Sequence, residues 1–181
     1  MSKKATVLWM DLEMTGLDPV EDRILEVAAI ATDWDFQEVG RFEAAVWVDP
    51  ELAKARMTGA FWDEHKKTRR QLLEQSSKGR PIAAVEDDLL GFVQQNFAKN
   101  QPIYLAGNSI HQDRKFIANH LQQLEVKLHY RMLDVSAFKL VFEHKFDRPV
   151  KKPDHHRALQ DIEGSIAELK YYLEFVDCEK S

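Results

Sequence analysis

The sequence is poor in the features that mark secreted, membrane-spanning or fibrous proteins. Cys178 is the single cysteine, so no disulfide can form within the chain, which agrees with a reducing compartment. No apolar run approaches the ~20 residues of a membrane span, and Asp11 and Glu13 interrupt the first apolar stretch too early for a signal peptide. Collagen-like, low-complexity and repeated patterns are absent as well. We therefore expect a globular, cytoplasmic protein that makes no membrane contact.

The chain also lacks the excess of positive charge that is typical of proteins gripping long nucleic acids. Its 25 basic and 30 acidic residues give a net charge of −5. Binding through many phosphates is driven by counterion release and usually needs a basic surface. A nucleic-acid substrate would therefore be contacted over a short stretch, or through metal ions that neutralise phosphate.

What the chain does contain is enough apolar sequence for one core. At 181 residues and 44% hydrophobic content, we expect a single domain over residues 1–181. Pro81 fits the first position of one helix, and Ser136 fits the N-cap of another. The apolar patterns predict strands at 7–13, 24–32, 38–48, 103–106 and 131–135, and helices at 81–97, around 113–121, from 136 to about 143, and at 156–176. This order predicts an α/β fold with a mixed sheet covered by helices on both faces.

The first predicted strand carries two carboxylates. Asp11 and Glu13 would project from one face of the strand, while Met10 and Leu12 project from the other. Two neighbouring carboxylates repel each other and are costly to bury, and a divalent cation would remove both penalties. In the alternative interpretation the strand ends at Met10 and a solvated loop follows, as the turn residues 15–19 partly suggest; Gly16 there allows a positive φ.

Two later carboxylates could reach the same place. Asp113 follows the loop after a short strand, and Asp161 lies inside the last predicted helix. Each has a simpler explanation, because Asp113 would interact well with the dipole at a helix start and Asp161 could face water.

The charged tract 64–70 is typical of a solvated helix face, although Trp62 beside it could stack on a base.

Three short motifs resemble, in the same order, those of the DEDDh exonuclease family. They are residues 11–13 (Asp-Leu-Glu), 108–113 (Asn-Ser-Ile-His-Gln-Asp) and 156–161 (His-Arg-Ala-Leu-Gln-Asp). The similarity is greatest to oligoribonucleases and spans nearly the whole chain. It implies a ribonuclease H-like fold, a homodimer, two divalent metal ions, and 3′-to-5′ removal of nucleotides from single-stranded RNA of two to five nucleotides, dinucleotides especially.

The resemblance also implies roles for the catalytic residues. Four carboxylates would hold two hard cations, Mg²⁺ or Mn²⁺, which prefer oxygen ligands: Asp11, Glu13, Asp113 and Asp161. His156 is then the general base that takes a proton from the attacking water, since the free pKa of histidine lies near neutrality. On a continuous helix His156 and Asp161 would point apart, so we expect His156 on the loop just before the helix.

Two alternatives for this histidine remain. His155 is adjacent to His156 and has the same chemistry, although the spacing of the family motif favours His156. A zinc site built from His155, His156 and Cys178 is the other alternative, but its ligand spacing is unlike that of known zinc sites.

Substrate-binding residues follow from the same resemblance. Leu17 and Trp62 match the pair that grips the 3′ bases. The 5′ phosphate would be received by Ser109, Arg131 and Ser136, and Tyr130 would come from the partner subunit. Arginine suits a terminal phosphate because its planar fork donates two hydrogen bonds, while a helix cap is the alternative for Ser136. The chain departs from the family where a histidine is expected after Trp62; the Lys66–Lys67 region stands there instead.

Three functions are compatible with these observations. The favoured one is an exoribonuclease for very short RNA. The second keeps the same fold and chemistry but acts on longer RNA 3′ ends or single-stranded DNA, and cleavage of a dinucleotide against a twenty-mer would separate the two. The third is a nucleotide-binding module without catalysis, which the presence of all five catalytic residue types disfavours.

Overall fold

The computed structural model describes residues 4–150 and 157–176, which form a mixed sheet with helices on both faces. In sequence order the elements are β1 (Val7–Met14), β2 (Ile24–Thr32), β3 (Glu38–Ala45), α1 (Pro50–Arg56), α2 (Ala60–Glu64), α3 (Lys66–Ser77), α4 (Ile82–Asn96), β4 (Ile103–Gly107), α5 (Ile110–His120), α6 (Gln122–Glu125), β5 (Leu128–Asp134), α7 (Val135–Phe146) and α8 (Ala158–Leu173). The strand order is β3-β2-β1-β4-β5. β1 pairs antiparallel with β2 and parallel with β4, which confirms the predicted mixed sheet.

The central strand β1 is buried on both faces. Leu8 and Met10 join the core that α4 and α5 cover, whereas Val7 and Trp9 face the core under α7 and α8. This division follows from the period of two along a strand, since successive side chains point to opposite faces. The α/β prediction with helices on both faces is therefore confirmed.

β1 continues through the two carboxylates. Asp11 pairs in register with Ala28 of β2, and Glu13 pairs with Glu26. The alternative of a strand ending at Met10 is wrong, because β2 extends far enough to keep the backbone of β1 paired. Both carboxylates thus belong to the sheet, on the face that α8 covers.

The loop that follows β1 differs from expectation at Gly16. Among the described glycines only Gly59 has a positive φ. Gly16 is required for a different reason: a Cβ at this position would overlap the Asp22 carboxylate. Crowding, rather than backbone conformation, excludes a side chain here.

The region after β3 contains more helix than its weak pattern indicated. β3 ends at Ala45 rather than Val48. Val46 still donates its N–H to the Leu25 carbonyl of β2 at 2.8 Å but forms an isolated bridge with Arg80. Three helices, α1 to α3, then cover residues 50–77. α4 confirms the predicted amphipathic helix, with Pro81 as N-cap rather than first helical residue. Within the described ranges, no helix is both long enough and apolar enough to cross a bilayer.

The junction between β5 and α7 also lies at a different residue. β5 begins at Leu128 and ends at Asp134, and Asp134 is the N-cap because its side chain accepts a hydrogen bond from the Ser136 N–H. The prediction of Ser136 as N-cap is wrong; aspartate and serine cap equally well, and the position of the strand end decides between them. α7 continues to Phe146, beyond the expected end at Glu143.

The last helix, α8, starts at Ala158. His155, His156 and Cys178 lie outside the described residues, so the loop position expected for His156 falls there as well. The zinc alternative therefore falls on residues that the structure does not describe.

Candidate functional site

The candidate site lies where β1 runs past the end of β4. Pairing between these parallel strands stops at Trp9 and Ala106, while β1 extends to Met14. Gly107 ends β4, and a Cβ there would lie 2.8 Å from the Met10 carbonyl oxygen, so a side chain would force the strands apart. In open α/β sheets such a place, beyond the carboxyl ends of the strands, is where ligands bind.

Three carboxylates converge at this place. One oxygen from each of Asp11, Glu13 and Asp161 lies within 4.8 Å of the others. Asp161 comes from the first turn of α8, and its Oδ2 accepts a hydrogen bond of 3.1 Å from the Arg157 N–H. Asp161 therefore faces the other two acids rather than open water, and the three form an oxygen-rich group that suits a hard divalent cation.

The burial and negative charge of this group shift the pKa of Glu13. Burial, followed by the negative charges of Glu26, Asp161 and Asp113, raises the pKa of Glu13 to about 8, against the opposing effect of Arg157. Without a cation, Glu13 therefore keeps a proton near neutral pH. A divalent cation could replace that proton, so the donor set fits a metal on chemical grounds.

Asp113 occupies a different position from the other predicted ligands. It lies in the first turn of α5, is buried, and accepts a hydrogen bond of 3.0 Å from the Leu12 N–H of β1. It is not part of the group of three described carboxylates, although its charge acts on Glu13. Burial raises the pKa of Asp113 itself. The structure thus brings three of the four expected ligands together and holds Asp113 beside them on the backbone of β1.

Glu26 was missed by sequence reasoning. It is fully buried opposite Glu13 in the β1–β2 register. Arg157 lies close, with its Nε 3.7 Å from the Glu26 carboxylate. Burial raises the pKa of Glu26 in spite of this cation. The available signal was a lone glutamate in the otherwise apolar segment 24–32, which required an explanation.

Of the two residues expected to grip the 3′ bases, Leu17 lies on the loop after β1 and Trp62 lies in α2. Leu17 stands at a loop tip and is 72% exposed, as predicted. Trp62 is only 7% exposed, and its indole N–H donates to the Thr15 carbonyl at 3.3 Å. The Leu17 carbonyl in turn accepts a bond of 2.8 Å from Gln112. Trp62 is thereby anchored to the start of the loop that carries Leu17.

Two of the residues expected at the 5′ phosphate are adjacent. The hydroxyl oxygens of Ser109 and Ser136 are 3.1 Å apart, and the Ser109 N–H points to both Ser136 Oγ and Asp134 Oδ1. Ser109 has a left-handed φ of 49°, which is uncommon for a residue with a side chain. We name these two residues the serine pair.

The remaining predicted residues lie on the surface. Arg131 is on β5, and its guanidinium carbon is 5.4 Å from the ring centre of Tyr130, which is 72% exposed. Lys66 and Lys67 are exposed at the start of α3, which agrees with a solvated helix face. 

Comparison with known proteins adds an independent result. The family model described as "Exonuclease" matches residues 8–169. The oligoribonuclease of Francisella tularensis (strain WY96-3418) is 38% identical over 175 residues, covering 95% of this chain and 96% of the relative. The oligoribonuclease of Streptomyces griseus is 36% identical over 174 residues, covering 94% of this chain and 86% of the relative.

Solved structures are similar in fold at lower identity. A zinc-bound complex of E. coli exonuclease I with single-stranded DNA has a TM-score of 0.64 at 16% identity and covers 95% of this chain. Exonuclease I of Methylocaldum szegediense has a TM-score of 0.63 at 18% identity. This chain spans only 41% and 40% of those two chains, so the likeness concerns the ribonuclease H-like fold alone.

Proposed function

The chain belongs to the oligoribonuclease branch of the exonuclease family, a group of metal-dependent 3′-to-5′ exoribonucleases, and on that premise we propose that it hydrolyses RNA of two to five nucleotides with two Mg²⁺ or Mn²⁺ ions. Dinucleotides are the preferred substrate, and mononucleotides are the product. The observation that carries this proposal is the convergence of Asp161 with Asp11 and Glu13, which lie far from it in the sequence, to within 4.8 Å.

Different residues of the chain carry out different parts of the reaction. When bound, the cations supply positive charge that holds the reacting phosphate oxygens and acidifies water. Asp11, Glu13 and Asp161 hold that charge in place, and Asp113 completes the ligand set beside β1. His156 takes the proton from the attacking water. Arg157, the next residue in the sequence, donates its backbone N–H to the Asp161 carboxylate at 3.1 Å.

Both ends of a short RNA would be held by residues outside this acidic group. Leu17 and Trp62 grip the 3′ bases, which the bond between the Trp62 indole and the Thr15 carbonyl supports. The serine pair and Arg131 receive the 5′ phosphate; Lys66 or Lys67 is a candidate for a further contact. A net charge of −5 agrees with such local recognition, because no basic track for a longer strand is needed.

The working form is a homodimer in this proposal. β5 is an outer strand of the sheet, and large apolar side chains stand exposed on it and on α7: Tyr130, Met132, Leu140, Val141 and Phe146. Exposed strand edges and apolar patches of this kind favour association with a second copy. Tyr130 would then reach the 5′ end of the substrate in the partner subunit's site.

Two further points complete the proposal. The whole chain, residues 1–181, acts as one exonuclease domain, since strands from both halves of the sequence build the sheet behind the acidic group. It works in the cytoplasm, which the single cysteine supports.

The test is cleavage of labelled RNA from two to about twenty nucleotides with Mg²⁺, with Mn²⁺ and with EDTA. We expect the dinucleotide to be cleaved fastest, and EDTA to stop turnover. Asp11→Asn should lower kcat by at least about 10³-fold, because it removes a ligand charge. The matched control is Asp87→Asn, an exposed acid on α4. Turnover of Asp11→Asn at saturating Mg²⁺, or equal rates for dinucleotide and twenty-mer, would contradict the proposal.

A further inference from the structure

A buried hydrogen-bond chain connects the serine pair to the carboxyl-terminal half of α8. Its central member is Glu168, which is 3% exposed. The Asn108 amide donates to Glu168 Oε2 at 3.0 Å, and the Tyr172 hydroxyl donates to Oε1 at 3.0 Å. Each carboxylate oxygen thus has one donor, and the two donors come from different parts of the fold.

Glu168 determines which way the Asn108 amide points. An ionised carboxylate only accepts hydrogen bonds, so Asn108 must turn its NH₂ group toward it. The second N–H of that group donates to Ser165 Oγ at 2.9 Å. The amide oxygen of Asn108 is left facing the opposite side, where it accepts a bond of 3.3 Å from the Ser136 hydroxyl.

This orientation extends into the serine pair. Because the Ser136 hydroxyl donates to Asn108, its oxygen is free to accept the Ser109 N–H, which lies 2.8 Å away. That bond helps to hold Ser109 in its left-handed conformation. A rotated Asn108 would present NH₂ to Ser136 and reverse the direction of the bond between them.

We propose that Glu168 is a positioning residue for the 5′ end of the substrate: by orienting Asn108 it holds the serine pair in the geometry that receives a terminal phosphate. This inference rests on the proposed role of the serine pair. Glu168 does not touch the substrate itself, and its effect passes through Asn108.

Filling space alone does not require a carboxylate at this position. Burying a charge is costly, and apolar side chains of similar size often replace buried polar groups without loss of stability. Tyr172 already packs by its ring, stacked on Phe142 with the ring centres 4.8 Å apart. The carboxylate of Glu168 instead fixes the orientation of the Asn108 amide. Burial and the neighbouring Glu168 raise the pKa of the Tyr172 hydroxyl, so Tyr172 remains a donor.

The catalytic acids should be affected much less. The chain approaches them through Ser165, whose hydroxyl donates to the Asp161 backbone carbonyl at 2.7 Å. That bond lies within α8 and does not involve the Asp161 carboxylate. A change at Glu168 should therefore raise KM for substrates that carry a 5′ phosphate, with little effect on kcat.

The experiment compares one dinucleotide with a 5′ phosphate and the same dinucleotide with a 5′ hydroxyl. The double variant Glu168→Leu/Tyr172→Phe removes the acid and its hydroxyl donor together and keeps the ring stack. We expect KM for the phosphorylated dinucleotide to rise about tenfold, the size of one hydrogen bond to a charged group. KM for the 5′-hydroxyl form and kcat for both should change less than about twofold.

Three single variants complete the experiment. Glu168→Gln keeps an oxygen that can accept from Asn108 and should recover most of the phosphate preference. Glu86→Gln is the matched control, because Glu86 is also buried and accepts from the Gln123 and Leu124 N–H groups, away from the site. If the double variant does not fold, Tyr172→Phe alone should raise KM for the phosphorylated form about threefold.

The outcomes separate this inference from the proposed function. An unchanged phosphate preference in the double variant, or an equal rise in both KM values, would overturn the role of Glu168 and leave the exonuclease proposal intact. If the wild-type enzyme cleaves dinucleotides but does not prefer a 5′ phosphate, the role of the serine pair fails and the inference fails with it. Absence of dinucleotide cleavage in the wild-type enzyme would refute the proposed function.

Discussion

At the scale of single residues, the buried carboxylates of the site lower the stability of the fold when they are charged. Glu13 and Glu26 face each other across β1 and β2, and both have raised pKa values because burial disfavours their charge. A carboxyl whose pKa is higher in the folded than in the unfolded protein stabilises the fold at low pH. That stability is lost as the pH rises from the unfolded value of 4.5 toward about 8 for Glu13. Without metal, the fold is therefore weakened by its own site above neutrality.

Glu13→Gln should reveal this conflict. At about pH 8.5 and without metal, we expect the variant to melt about 2–4 °C above the wild-type protein, since one buried charge has been removed. Near pH 5 the gain should nearly vanish, because the wild-type Glu13 is then protonated. Thermal unfolding followed by circular dichroism at both pH values measures the difference. If the variant melts below the wild-type protein at the higher pH, burial of Glu13 is not costly.

At the scale of elements, the loop between β1 and β2 is fixed by one buried acid. Asp22 is 2% exposed and accepts hydrogen bonds from the Thr15 hydroxyl at 2.9 Å, the Asp18 N–H at 3.0 Å and Arg56 Nε at 2.8 Å. Burial alone would raise the pKa of Asp22, but these bonds outweigh it and lower the pKa. The acid thus links α1 to the loop that presents Leu17.

Asp22→Asn should loosen this loop. A lowered pKa means that the stabilisation is present above the unfolded value of 3.8 and is lost as the pH falls through the folded value. At pH 7 we expect a melting temperature about 3–6 °C below the wild-type value, with the gap closing as the pH falls below the unfolded value of 3.8. KM for a dinucleotide should also rise, because Leu17 is less well held. Asp87→Asn serves again as the control, and a gap that does not change with pH would contradict the role of the Asp22 charge.

At the scale of the whole molecule, the exposed apolar side chains are unevenly distributed. Among those on the β5–α7 side, Leu140 is 59% exposed and Val141 is 48% exposed. β5 ends the sheet on this side, so its outer backbone groups have no strand partner within the described sheet. Such a face is a good candidate for the contact with a second copy.

Leu140→Glu/Val141→Glu should separate the two subunits. Four added carboxylates across a twofold interface repel each other and cannot be buried. We expect size-exclusion chromatography with light scattering to give a monomer, and KM for a dinucleotide to rise because Tyr130 no longer reaches the partner. Trp47→Glu is the control, an equally exposed apolar residue outside this face. A wild-type monomer, or a dimer that survives the double substitution, would contradict the proposal.

Local patterns were sufficient for some elements and not for others. α4 and β2 were predicted to within one or two residues, because a stripe with helical period and an unbroken apolar run each have a single stable solution. Of the helices over residues 50–77, only the solvated helix face at 64–70 was predicted. The short helices α1 and α2 were not, since they are stabilised by packing around Trp62 and Met57. Asp134 and Ser136 compete for the same cap, and only the end of β5 decides between them.

The sequence alone determined the family, the mixed α/β sheet and four candidate acids, but not Glu26, because strand alternation and three motifs in order are properties of the chain itself. The tertiary structure decided which of those acids meet. It brings Asp161 to Asp11 and Glu13, ties Asp113 to the β1 backbone, and places Glu26 opposite Glu13. Distances between residues so remote in sequence depend on how strands register and helices pack, which no local pattern specifies.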